Sequence, residues 1–127
     1  MALLDNFKDV ILITFGAAIG ANARFVIYEK LYKLKLSKNY ITLLINTVSC
    51  FFLGLLISQV ASIPYSYHVL LFFSIGLLGS LSTFSAFIYE LFDLFIQLKF
   101  YRLFKLLIIS LVSGLLAFAA GCLLGIQ

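Results

Sequence analysis

The residue types best suited to chemistry gather in one stretch, Gly76-Leu-Leu-Gly-Ser-Leu-Ser-Thr-Phe-Ser-Ala-Phe-Ile-Tyr-Glu90. Within ten residues it holds Gly76, Gly79, Ser80, Ser82, Thr83 and Ser85. Two aromatic residues, Phe84 and Phe87, stand at i, i+3 spacing, and a carboxylate, Glu90, comes three residues later. In an otherwise apolar chain, clustered glycines and hydroxyls predict a helix that breaks at membrane depth. A break frees backbone carbonyls and amides, which lipid does not satisfy, so they must line a cavity or bind something. No nucleotide-binding motif or catalytic constellation accompanies them. The chemistry on offer is binding rather than catalysis, and the chain is not expected to be an enzyme.

Other polar residues fall within apolar runs. Thr42 and Asn46 are four apart and share a helix face. An asparagine at mid-span either bonds a neighbouring helix or offers its amide to an anion in a pore. Arg24, near the end of the first apolar run, either snorkels to the headgroups or faces a wet vestibule. Ser110, Ser113, Gly114, Gly121 and Gly125 give the last run either a close-packing face or a polar pore wall. Cys50 and Cys122 lie inside apolar runs and read as small core hydrophobes rather than a disulfide or metal pair. His68 has no partner visible in the sequence and is assigned no role.

The elements that position these residues must be membrane helices. The chain is 64% hydrophobic and only 11% charged, whereas ordinary soluble domains carry about 25% charged residues. Its 127 residues accommodate four spans of roughly 20 residues each, with short connections. The apolar runs put these spans at about residues 10–28, 41–58, 69–98 and 106–124, in a single domain with no internal repeat or linker. The third run is too long for one plain crossing, in keeping with a break or a tilt. A short turn around Pro64, from Ala61 to Tyr67, joins the second and third. No stretch reads as a cleavable signal peptide. Gly16 and Gly20, four apart, leave one face of the first span bare enough for another backbone to approach.

The net charge of +4 does not point to nucleic acid, because the basic residues flank spans, where they set orientation. Lys30, Lys33, Lys35, Lys38, Lys99, Arg102 and Lys105, seven in all, fall on one side of a four-span chain, and only Lys8 on the other. The positive-inside rule then predicts cytoplasmic basic connections and both termini outside.

Four landmarks, in order, carry a resemblance. They are Gly20-Ala21-Asn22-Ala23-Arg24-Phe25, then Thr42-Leu-Leu-Ile-Asn46, then Gly79-Ser-Leu-Ser-Thr-Phe-Ser-Ala-Phe87 with Glu90, and last Ser110 with Gly114, Leu115 and Ala117. On these the chain resembles the Fluc (CrcB) fluoride channels over essentially its full length, the third landmark being the most specific. The resemblance implies a prokaryotic cell-membrane protein: an all-α, dual-topology dimer of antiparallel four-helix subunits, with two pores along the interface. It implies that the third helix breaks mid-membrane and that carbonyls at Gly79 and Ser82 hold a structural sodium ion. It aligns Phe84 and Phe87 with the pore phenylalanines, Asn46 with the pore asparagine, and Thr42, Ser85 and Ser110 with the polar wall. Glu90 aligns with a carboxylate close to the pore, and Arg24 with an arginine near the vestibule.

Physical chemistry supports these implied roles. Fluoride is small and strongly hydrated, so a dry pore must replace its water with aimed donors. Hydroxyls and an amide do so without a fixed positive charge that would trap the ion, and phenylalanine edges are electropositive. The chain departs from the family pattern at Ile41, Ser49, Ser80, Ser82 and Leu106, and at Ala86, which stands where the family has threonine. The implied function is passive efflux of cytoplasmic fluoride. Seven basic residues against one is an imbalance that predicts a homologous second subunit of opposite loop charge as the antiparallel mate. Two alternatives are a non-conducting scaffold partner and a small multidrug exporter. The exporter mechanism needs an embedded acid early in the first span, and the apolar run has none before Glu29.

Overall fold

The computed structural model describes residues 2–60 and 66–126, and all regular structure among them is helical. The chain forms α1 (Ala2–Lys33), α2 (Lys38–Val60), α3 (Ser66–Leu70), a π-helical segment (Leu71–Leu78), α4 (Gly79–Leu81), α5 (Phe84–Ile96) and α6 (Phe100–Gly125). Four stretches are long and apolar enough to cross a membrane: Asn6–Lys33, Lys38–Gln59, Tyr67–Ile96 and Phe100–Gly125. The predicted all-α, four-span character is what the structure has. Most of the turn expected around Pro64 lies outside the described residues.

The helices run past the apolar runs. Helix α1 already includes Asp9, and Lys30 and Lys33 form its last turn. Arg102 and Lys105, expected in a turn, belong to α6. Backbone hydrogen bonding accounts for both: a helix continues until a residue stops it, not until hydrophobicity does, and snorkelling side chains tolerate the interface. The stops are Lys35 and Leu98, whose φ angles of 61° and 55° place them in the left-handed region. At Leu98 the amide of Leu98 donates to the Phe95 carbonyl and that of Lys99 to the Leu94 carbonyl, each at 3.0 Å. This is the paired bond of a Schellman close.

The four spans associate as two parallel pairs. Helix α1 lies along the third span, which the bond from Tyr67 to Asp9 at one end and that from Arg24 to Leu81 at the other set in the same direction. Helix α2 lies along α6, with Thr47 opposite Ser113 at 3.2 Å. Glycines allow both approaches. A Cβ on Gly16 would meet the Phe72 carbonyl and one on Gly20 the Leu77 carbonyl, so the close face predicted from their spacing is in use. A Cβ on Gly76 would come within 2.8 Å of the Ile13 carbonyl from the opposite side. In the second pair, Gly54 abuts the Phe118 carbonyl and Gly121 the Phe51 carbonyl. Lipid offers no hydrophobic drive to join helices, so such backbone-to-backbone contact supplies the packing.

Few large side chains are buried inside the single chain, chiefly Ile41, Ile45, Leu71, Leu78, Phe87 and Leu94. Many other large apolar side chains, Phe15, Phe25, Phe104 and Leu115 among them, are exposed, as a lipid-solvated surface requires, and the rest among the described residues are half-buried. Between α4 and α5 the backbone is extended at Ser82 (φ −88°, ψ 115°) and Thr83 (φ −116°, ψ 127°). The last helical bond before this step runs from the Ser82 amide to the Leu78 carbonyl, at 2.9 Å.

Candidate functional site

The extended pair at Ser82 and Thr83 organises the polar groups around it. In a continuous α-helix the carbonyls of Gly79, Ser80 and Leu81 would accept from the amides of residues 83, 84 and 85. The extended backbone removes those donors. Arg24 replaces one of them, its guanidinium donating to the Leu81 carbonyl at 2.9 Å. Gly16, Gly20 and Arg24 lie at successive four-residue steps of α1 and meet the third span at Phe72, Leu77 and Leu81 in turn. The glycine face that brings the helices together therefore ends on the arginine that satisfies the interruption. Arg24 is half-buried, and this contact adds a backbone partner to the two environments open to it.

Beside the step lies a cavity of about 360 Å³, into which Asn46, Ser82, Phe84, Phe87 and Ser110 all project. They come from three spans, α2, the third span and α6, and had been singled out from sequence alone. Phe87 is buried, whereas Phe84 is 73% exposed, with ring centroids 6.1 Å apart and planes inclined by 50°. The Oδ1 atom of Asn46 is buried and accepts no hydrogen bond. Thr47, Cys50 and Gly114 also line it, and Leu111, Leu115 and Phe118 make the rest of the wall apolar, so a polar guest would find its partners only at a few fixed points.

Thr42 and Glu90, 48 residues apart, meet one helical turn further along α2. The threonine hydroxyl donates to Glu90 Oε1 at 2.5 Å, and both residues are buried. Glu90 Oε2 is also buried and has no partner. The Thr42 hydroxyl proton is thus engaged by the carboxylate. Sequence spacing does not show this pairing because the two residues lie on different spans. Ser85 is exposed and does not line the cavity.

A second cavity, about 130 Å³, is lined by Ser49, Cys50, Leu53, Ser74, Leu78, Gly79 and Ser82. The polar residues of its lining are Ser49, Ser74 and Ser82, with Cys50 beside them. Hard oxygen ligands without a cluster of thiolates, imidazoles or carboxylates suit an alkali-metal cation better than a transition metal. Among the described residues no group of three or more His, Cys, Asp or Glu forms such a cluster. Gly79 and Ser82, the two positions implied for sodium, fall together here. Ser74 and Cys50 were not singled out as site residues: Ser74 lies outside the motif, and both sit in runs that read as core.

At the opposite end of the bundle, Asp9 accepts from the Tyr67 hydroxyl at 3.0 Å and stands 4.0 Å from His68 Nε2. His68 therefore has a neighbour that the sequence did not reveal, and Asp9 is part of the first span's helix. The absence of an early acid in the first span, expected from its apolar run, does not hold for the helix itself. That carboxylate ties α1 to the start of the third span rather than standing open at mid-membrane.

Four apolar spans joined by glycine-mediated contacts define a class, that of multi-pass membrane proteins. Comparison with known proteins narrows it. Residues 11–122 match the family model described as CrcB-like protein, Camphor Resistance (CrcB), and the chain belongs to that family. It is 51% identical over 123 residues to "Fluoride-specific ion channel FluC 2" of Prochlorococcus marinus (strain NATL2A), covering 94% of this chain and 99% of that one. It is 33% identical over 118 residues to "Fluoride-specific ion channel FluC" of Desulfotalea psychrophila, covering 93% and 92%. A Thermotoga maritima protein with the same description is 41% identical over 86 residues, covering 65% and 67%.

Proposed function

We propose that this chain is a fluoride-channel subunit that lets fluoride leave the cytoplasm down its electrochemical gradient. The observation that carries the reading is the meeting of Asn46, Ser110, Phe84 and Phe87 around one largely apolar cavity. The relatives' description as fluoride-specific ion channels supports the choice of ion. A dehydrated fluoride entering this cavity meets the Asn46 amide and the Ser110 hydroxyl as donors, and the ring edges of Phe84 and Phe87 as weak positive surface. None of these carries a full charge, so the ion is held weakly enough to leave.

In this reading Thr42 serves indirectly, by holding Glu90 in place, and Arg24 fixes the interruption of the third span. The working form is an antiparallel dimer. Phe84, 73% exposed on the single chain, and the exposed Ser85 complete their surroundings only against a second subunit. The interruption at Ser82 and Thr83 lies at the two-fold axis, and carbonyls of Gly79 and Ser82 from each subunit hold a sodium ion that joins the halves. The serine-lined cavity beside them suits that cation in chemistry. The sodium supplies positive potential between the pores. The charge imbalance keeps the basic connections cytoplasmic and both termini outside, so the mate is a homologous chain of opposite loop charge.

The test is efflux of fluoride from liposomes, read with a fluoride-selective electrode. The expected result is efflux when this chain is reconstituted with its homologous partner and little with this chain alone. Conduction by the chain alone would remove the requirement for a partner. Absence of efflux in both cases, or equal passage of chloride, would remove the fluoride-channel reading. Efflux that survives Asn46→Leu and Phe84→Ala in this subunit would instead assign it a scaffold role.

A further inference from the structure

The basic end of the molecule contains a cavity that the pore reading does not use. It lies between the start of α2 and the start of α6, encloses about 300 Å³ and shares no lining residue with the cavity around Asn46. Ser37, Asn39 and Tyr40 line it from α2 and the residues just before it, and Arg102 and Lys105 from α6. Leu43, Leu106 and Ile109 form its apolar floor.

Its electrostatics are one-sided. Because α2 and α6 are parallel, both point their N-termini, the positive ends of their dipoles, at this cavity. Such ends ordinarily take acidic residues, yet neither first turn contains one. The chain adds Lys38, Arg102 and Lys105 instead, and Lys99 at the α6 cap supplies no side-chain bond to the freed amides. Among the described residues, neither Arg102 nor Lys105 meets a carboxylate within ion-pair distance, since the ion pairs formed are Lys33 with Glu29 and His68 with Asp9. Positive helix ends and unpaired cations around one cavity repel one another unless an anion sits among them.

The size and lining indicate which anion. A cavity of about 300 Å³ is far larger than a fluoride ion and would leave it mostly in water. A phosphate group fits better: the Arg102 fork can take two of its oxygens, Lys105 a third, and Tyr40 can add a hydroxyl donor. The floor of Leu43, Leu106 and Ile109 adjoins Ile108 of α6, which is exposed. An acyl chain attached to that phosphate would lie along this surface. Basic pockets between spans are suited to anionic headgroups in this way.

We propose that this cavity is a phosphate-binding site occupied by the headgroup of an anionic phospholipid, with Arg102 and Lys105 as its ligands. The inference does not depend on which ion the pore conducts.

The test is native mass spectrometry of the full-length protein in detergent, with phosphatidylglycerol, phosphatidylcholine or inorganic phosphate added in turn. Phosphatidylglycerol should remain bound, phosphatidylcholine should not, and R102Q/K105Q should weaken retention by roughly tenfold or more. The variant R102K should lose part of the effect, because it keeps the charge and removes the fork. The control K30Q/K33Q, at the same end of the molecule but outside the cavity, should retain the lipid. An inorganic phosphate adduct that displaces the lipid and is lost in R102Q/K105Q would overturn the lipid source and assign the pocket to free phosphate. Equal lipid retention in wild type and R102Q/K105Q, or equal loss in K30Q/K33Q, would overturn the site. Because Arg102 and Lys105 are exposed, their replacement leaves the helix packing intact, and an unchanged elution volume checks this.

Discussion

Thr42 and Asn46 sit one turn apart on the same helix and should respond to replacement in opposite ways. Thr42 donates to a buried carboxylate at 2.5 Å. Thr42→Val leaves Glu90 Oε1 without its partner and should destabilise the protein by about 1–3 kcal/mol. Glu90→Gln keeps an acceptor for the hydroxyl and should do less harm. Thermal unfolding in detergent separates the two, and equal losses would argue against the bond. Asn46, by contrast, buries an oxygen that accepts no hydrogen bond. Asn46→Leu removes a buried polar group that had no partner, so stability should hold or rise, while fluoride efflux through the pore it lines should fall at least tenfold, on the order of one lost hydrogen-bond donor to an anion. A variant that both unfolds and stops conducting would show that Asn46 is chiefly a packing residue. Arg24 was readable as a membrane-edge cation, but its attachment to the Leu81 carbonyl was not, because a lost backbone donor leaves no mark in the sequence.

At the scale of the helices, the glycines divide by what they contact. Gly20 and Gly121 lie directly against carbonyls of the neighbouring helix, whereas the nearest atom to a Cβ on Gly79 would be the Ser74 carbonyl at 3.5 Å. Gly20→Val and Gly121→Ala should therefore each lower stability by about 1–3 kcal/mol, the usual range for overpacking, and Gly79→Ala should cost much less. Unfolding titrations of the three variants check the order, and a Gly79→Ala loss as large as the others would contradict it. The close face at Gly16 and Gly20 was legible because four-residue spacing of small residues has one simple structural use. Gly54 was not singled out, although Cys50 and Ser58 stand four residues to either side of it, because it is the one glycine of its apolar run. The π-helical segment was equally hidden. Nothing in Leu71–Leu78 marks an i→i+5 bonding pattern, and the bond from the Gly79 amide to the Ser74 carbonyl arises from packing against α1 rather than local preference. At Ser82 and Thr83, where the backbone is extended, the hydroxyl-bearing residues are of the kind that offer the backbone bonds competing with a helix.

For the whole molecule, the first question is orientation. Fusing alkaline phosphatase, active only outside the cytoplasm, to each terminus in turn should give active enzyme at both, and a reporter between Lys33 and Lys38 should stay inside. Activity at one terminus only would mean an odd number of crossings, against the four spans observed. Mixed activity at both would mean that the basic asymmetry does not fix the chain, and the need for a homologous mate would lapse. The parallel pairing of spans has a further consequence. The glycine joints lie within each pair, α1 with the third span and α2 with α6, while the two cavities near Ser82 and the Thr42–Glu90 bond lie along the seam between the pairs. The joinery and the plumbing thus occupy different surfaces of the same four helices. Folding and transport should then vary independently: substitutions along the seam can retune it while the joints that hold each pair together go untouched.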